Sequence, residues 1–277
     1  MARSPIQDEI QNSLREMERL AKPSGGPSPS GAPQTGLAAY SHATRTATYG
    51  FLAALPLLVL YEVGVIVANT GRGQIRVGAD AWIKNALASL GVQGGLLLSA
   101  VVVVIGGVVF WMEREKRPPI RASYFGWILV ESLFYAVVLA YIVSGMVGAI
   151  FGAVSLWPVA MAQMSTLSLP LQLALSIGAG LYEELVFRVL LVGGLFLGLR
   201  QVLKDRKVAY AIAAVVGALI FSWVHYVGAY GDPFTMSSFT YRFLFGLALN
   251  GVFLLRGFAV AAWAHALYDV LVVTGSL

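Results

Sequence analysis

The chain contains no cysteine and only three histidines, and charged residues make up just 12% of its 277 positions. That share is about half of what a soluble domain carries. Too few charges remain to cover a water-exposed surface. In their place, 58% of the residues are hydrophobic and the mean hydropathy is +0.75. A soluble globular enzyme, a disordered chain and a fibrous repeat are excluded together. The absence of cysteine removes disulfides, a thiol nucleophile, thiolate metal ligands and a lipidated cysteine. No fixed period recurs along the chain. There is no Asn-x-Ser/Thr sequon, which fits a multi-pass protein of a prokaryotic inner membrane. The net charge of +5 reflects Lys and Arg in loops that stay on one side of a membrane, so no nucleic-acid partner is inferred.

What is present is a series of long apolar runs, which predicts an all-α, polytopic bundle of about seven transmembrane helices in a lipid bilayer. Residues 1–22 hold four basic and four acidic residues without an apolar signal core. Ile6, Ile10, Leu14, Met17 and Leu20 recur at helical spacing there and predict an amphipathic segment. A flexible Pro/Gly/Ser linker follows over 23–45. The transmembrane domain occupies 46–277. Its spans are expected at about 46–69, 94–112, 124–151, 170–199, 208–228, 240–255 and 257–276. A short amphipathic helix is expected around Trp82. Pro158 and Pro170 mark a break inside the charge-free run 132–182. With the N-terminus in the cytoplasm and seven alternating spans, fourteen Lys and Arg fall inside and four outside, as the positive-inside rule requires. The sixth span is the short one, since only 243–255 is free of charge after Arg242.

Ionisable side chains within a bilayer cost a few kcal/mol each, even on the lenient insertion scale. This chain places eight of them there: Glu62, Glu131, Glu183, Glu184, Arg188, His225, His265 and Asp269. Glu62, beside Tyr61, reads as an interfacial or inter-helix hydrogen bonder. Glu131 reads equally as a structural bond or as a cavity-lining group. The other six fall in three patterns: Glu183-Glu184-Leu-Val-Phe-Arg188, Phe221-Ser-Trp-Val-His225 and His265-Ala-Leu-Tyr-Asp269. Glu184 and Arg188 are four apart and can pair on one helical face. Glu183, about 100° round an α-helix from Glu184, keeps a free carboxylate and is the candidate general base. His265 and Asp269 project together, as do Phe221 and His225. Phe221 reads as packing that also shapes a substrate groove.

Two chemistries use these groups. Glu183, His225 and His265 suffice for a His₂Glu site binding zinc or another divalent metal with an open position. Asp269 would then bind the metal or accept the ring N–H of His265. The same residues also suffice without a metal, with Glu183 activating water while the histidines and Asp269 steady the tetrahedral intermediate. The bland alternatives are hydrogen-bonded packing histidines and a Glu184–Arg188 staple.

Together the three patterns, in this order on successive helices, resemble the CPBP family, which comprises the type II CAAX prenyl endopeptidases and bacteriocin-processing enzymes, also called the ABI family. The resemblance covers the last four spans, with a protease-like core over 170–277. It implies that Glu183 is the catalytic glutamate, supported by Glu184 and Arg188, with His225, His265 and Asp269 completing the site. Asp269 stands where that family often has Asn. The implied activity is hydrolysis of a peptide bond in a membrane-associated protein or peptide, such as a CAAX-like tail, a leader peptide or a C-terminal sorting signal. The rival readings are a non-catalytic self-immunity or scaffold protein of the same fold, and a small transporter using the acids as a relay. Other classes of intramembrane protease fit less well: there is no His-Glu-x-x-His, no Gly-x-Ser placed before a histidine as a rhomboid requires, and no Gly-x-Gly-Asp.

Overall fold

A computed structural model describes residues 36–69, 75–89, 91, 97–152, 166–228 and 231–277. These residues form nine helices and no strand. They are α1 (Gly36–Thr44), α2 (Ala47–Ala68), α3 (Gly78–Ser89), α4 (Leu97–Met112), α5 (Ala122–Phe151), α6 (Leu169–Val202), α7 (Arg206–Val224), α8 (Met236–Arg256) and α9 (Phe258–Val273). Five of them, α2, α5, α6, α7 and α8, are long and apolar enough to cross a membrane. The apolar stretches Leu98–Met112 and Phe258–Val273 are shorter. Val104, Trp127, Tyr141, Ile150, Leu190 and Trp223 are exposed on the outside of the bundle. A surface this apolar is suited to lipid, and the chain is a multi-pass membrane protein. The expected amphipathic segment 1–22, linker residues 23–35 and Pro158 lie outside the described residues.

Two boundaries differ from the sequence reading. Residues 36–44 are helical, whereas the linker was expected to run to residue 45. The helix is held by partners far along the chain. Tyr40 donates to Glu131 Oε2 (2.6 Å), and Arg256 donates to the Ser41 hydroxyl (2.6 Å) and to Thr44 Oγ1 (3.2 Å). Burial, and then the Glu131 carboxylate, push the Tyr40 hydroxyl above its usual range and keep it a donor. The sixth expected span is not short. α8 runs 21 residues because Arg242 sits inside it. Its guanidinium is buried against Asp232, Tyr226 and Ser238, so the charge does not end the helix. Pro170 marks a start as anticipated, in the first turn of α6, where its missing N–H costs nothing.

Two ionic clusters tie the helices at opposite ends. Near the C-terminal end of α2, Glu62 accepts from Arg76 (3.1–3.2 Å) and from the Ser99 hydroxyl (2.5 Å). Arg76 and Lys84 both pair with the fully buried Asp80, which also accepts from Tyr61 (2.7 Å). At the other end Glu131 pairs with Arg256 through both the Nε and Nη2 groups. Both acids are therefore inter-helix staples.

The decisive feature for the site is the winding of α6. Residues 179–192 form a π-helix, with Gly193 N–H bonding the Arg188 carbonyl five residues back. Close contacts pin this wide segment. A Cβ on Gly180 would lie 2.5 Å from the Ala262 carbonyl and from Ala266 Cβ, so only glycine lets α9 approach. Gly178 meets the Tyr61 ring in the same way.

Gly180→Ala should therefore lower thermal stability in detergent by about 1–3 kcal/mol through overpacking against backbone. Gly194→Ala, where a Cβ meets nothing within 4 Å, should leave the melting temperature unchanged or slightly raised.

Candidate active site

All seven residues singled out in the three patterns come together where α6, α7 and α9 meet. The π-wound part of α6 presents Glu183, Glu184 and Arg188, the end of α7 presents Phe221 and His225, and α9 presents His265 and Asp269. They separate into two layers.

The inner layer is buried. Glu184, Arg188 and His265 are all at most 3% exposed. Arg188 Nη1 lies 3.0 Å from Glu184 Oε1, and His265 Nδ1 lies 2.7 Å from the same oxygen. The Arg188 contact is one of charge: none of the guanidinium nitrogens makes an aligned hydrogen bond among the described residues. The Phe221 ring offers its face instead, with Arg188 Cζ 4.4 Å from the centroid. Phe221 also packs edge-on with Phe187, His225 and His265. It thus serves as a spacer between the charged staple and both imidazoles.

The outer layer is partly accessible. Glu183 Oε2 lies 3.8 Å from His225 Nε2 and 4.0 Å from His265 Nε2, and it has no hydrogen-bond partner among the described residues. Asp269 Oδ2 is 3.6 Å from His265 Nε2. Each histidine spends its other nitrogen on support. His225 Nδ1–H donates to the Phe221 carbonyl (2.7 Å), and His265 Nδ1–H donates to Glu184. Both Nε2 atoms are thereby turned toward Glu183.

Three expectations change here. The group that orients His265 through Nδ1 is Glu184, which takes one of the two roles that a metal site would leave to Asp269, metal ligation or acceptance of the ring N–H. Arg188 does not hold Glu184 alone, since His265 shares the carboxylate. Glu183 and Glu184 lie on a π-wound segment, not on an α-helix with its 100° step, and Glu183 still lacks a close partner among the described residues. The sequence reading passed over Tyr182. Its buried hydroxyl lies 3.1 Å from that of Ser99, which links the backbone beside Glu183 to Glu62 and Arg76. The signal was present in Tyr182 and Tyr61, each directly before an intramembrane Glu.

The arrangement also bears on metal binding. Nε2 to Oε2 separations of 3.8 and 4.0 Å exceed the roughly 3.3 Å between neighbouring ligands on a tetrahedral zinc. No group of three His, Asp or Glu among the described residues is gathered as a metal centre.

Residues 165–271 match the family model for Type II CAAX prenyl endopeptidase Rce1-like. Over these residues, which are fewer than half of the chain, it is similar to the type II CAAX prenyl endopeptidases, and this similarity supports the CPBP intramembrane protease family. The match takes in α6 to α9 and every residue of the two layers. Helices α1 to α5 precede it. Comparisons with curated proteins and with solved structures found no match. The family that this model describes is one of proteases, which act on membrane-associated substrates.

The inner layer sets a stability test. Arg188→Ala leaves a buried carboxylate without its cation and should cost roughly 3–5 kcal/mol in thermal or denaturant unfolding. Replacing both partners, as in Glu184→Gln with Arg188→Met, should recover a large part of that loss.

Proposed function

We propose that the chain is an intramembrane endopeptidase in which Glu183 activates water against a peptide carbonyl. The observation carrying this reading is the Glu183 carboxylate, which faces two Nε2 atoms at 3.8 and 4.0 Å while each imidazole is anchored through Nδ1. A gap of that width between acceptors is one that a water spans. Such a water donates one hydrogen to Glu183 and the other to His225 Nε2, which leaves its lone pair toward the substrate carbon.

Glu183 takes the proton as the oxygen–carbon bond forms, and it returns the proton to the amide nitrogen as the carbon–nitrogen bond breaks. His265, when protonated, offers Nε2–H to the developing oxyanion, with its charge balanced by Glu184 and Asp269. Asp269 orders this side of the site. Metal ligation by Glu183, His225 and His265 would need the three to draw closer, with Glu184 and the Phe221 carbonyl already in place to orient the imidazoles. The chemistry such an ion supplies is polarisation of the carbonyl and of the water.

The substrate is proposed to be a membrane-associated protein or peptide. CAAX-like tails, leader peptides and C-terminal sorting signals are the classes suggested by the family. A non-catalytic scaffold of the same fold has less support, because an intramembrane Glu kept without a close partner serves no packing need.

The test uses purified protein and a cleavable membrane peptide. Glu183→Gln should lower kcat by about 10²–10⁴-fold, the range for a lost general base, while leaving the melting temperature near that of the parent. Loss of folding in this variant would reverse the roles assigned to Glu183 and Arg188. In the same assay Asp269→Asn should keep measurable activity and Asp269→Ala should lose most of it. Complete loss in Asp269→Asn that excess zinc restores would move Asp269 into a metal site.

A further inference from the structure

The two ends of the bundle differ in charge, and the candidate site lies at one of them. The first end gathers the starts of α2, α5, α7 and α9 and the finishes of α4, α6 and α8. Contacts confirm the grouping. Glu113, past the end of α4, accepts from the N–H and hydroxyl of Thr48 at the start of α2. Arg256, at the end of α8, pairs with Glu131 near the start of α5. The second end gathers the finishes of α2, α5, α7 and α9 together with the loop after His225.

Lys and Arg are divided unequally between these ends. The first end carries Arg45, four within 113–121, four within 200–207 and Arg256, ten in all. The second end carries three among the described residues: Arg76, Lys84 and Arg242. Each of those three contacts an acid at that end, namely Glu62, Asp80 or Asp232. The basic excess places the first end in the cytoplasm, since retained loops carry Lys and Arg and acids count for little.

The site belongs to the second end. His225 caps the finish of α7. At a rise of about 1.5 Å per residue, Asp269 lies about 6 Å from the last residue of α9 and about 16 Å from Phe258, its first, at the cytoplasmic end. His225 is continuous with the second-end loop, because its carbonyl accepts from Asp232 N–H (2.9 Å) and Asp232 in turn pairs with Arg242.

We infer that the site opens to the non-cytoplasmic face of the membrane and takes exported, membrane-tethered polypeptides whose scissile segment is presented from that side. The substrate part of this inference rests on the protease reading. The orientation does not. A tail that stays in the cytoplasm, as a prenylated C-terminus does, would have to pass about two-thirds of a helix length into the bundle to reach Asp269. A segment already delivered across the membrane meets His225 and Asp269 within the first turns.

The lack of native cysteine makes the orientation directly measurable. Ser276→Cys, exposed past the end of α9, and Gln201→Cys, exposed at the end of α6, are read with a membrane-impermeant maleimide in intact cells expressing the full chain. Labelling of Ser276→Cys without permeabilisation, with Gln201→Cys labelled only after it, is the expected result. The reverse pattern overturns the inference whether or not the protein cleaves anything. Comparative mapping of new termini in membrane proteins, between the parent and Glu183→Gln, tests the substrate class. Termini dependent on Glu183 should lie in segments on the non-cytoplasmic side. Glu183-dependent termini confined to cytoplasmic tails would refute the substrate class, while their complete absence would count against the protease reading and leave the labelling result to stand.

Discussion

A single carboxylate, that of Glu184, organises the half of the molecule that carries the candidate site. It is fully buried, and its Oε1 faces Arg188 at 3.0 Å and His265 Nδ1 at 2.7 Å. A lone ionised group in a membrane interior is costly, and pairing removes most of that cost. The pairing therefore draws α6 and α9 together at this depth, and Phe221 of α7 closes the third side by lying over the guanidinium. The buried staple fixes the imidazole of His265, the ring of Phe221 fixes the spacing to His225, and Glu183 remains as the carboxylate turned toward both. The division between buried support and a partly accessible reacting set follows from charge compensation in low dielectric.

The winding of α6 follows from the same demand. Glu184 reaches His265 on α9, Arg188 reaches the Phe221 ring on α7 and Glu183 faces both imidazoles, and a wider turn spreads the three. The absence of a side chain at Gly180 lets the α9 backbone come within contact distance, and Gly178 admits the Tyr61 ring. Through Tyr182 and Ser99 the π-wound segment is also joined to the Glu62, Arg76 and Asp80 cluster. Helices outside the family match are thus tied to the backbone beside Glu183. This gives α2 to α4 a physical reason to accompany the protease-like core.

The remaining intramembrane acids have quieter work. Glu62 and Glu131 each carry an arginine partner and a hydroxyl donor, Ser99 and Tyr40 respectively, at opposite ends of the bundle. Such clamps set which helix ends lie together, which an apolar surface alone cannot do, because lipid tails are as apolar as the leucines that face them. They neutralise charge locally, so the basic excess that remains in the connections at one end gives the bundle its polarity across the membrane.

The sequence by itself determined the membrane-spanning helical class and the set of groups able to do chemistry. Both follow from transfer free energy: apolar runs of span length have one stable solution in lipid, and a charged residue inside one is too costly to keep without a use. The spacing of Glu183, Glu184, Arg188, His225, His265 and Asp269 was legible for the same reason, and so was the break near Pro170. Only the tertiary structure decided how these groups pair. Helical spacing predicts neighbours on one helix, but His265 to Glu184 and Arg188 to Phe221 cross between helices. The π-winding of 179–192 and the inclusion of Arg242 in α8 depend on the same kind of distant partner. Sequence-local rules assume regular α-helices that end at charges, and a buried counter-charge from another helix removes both assumptions.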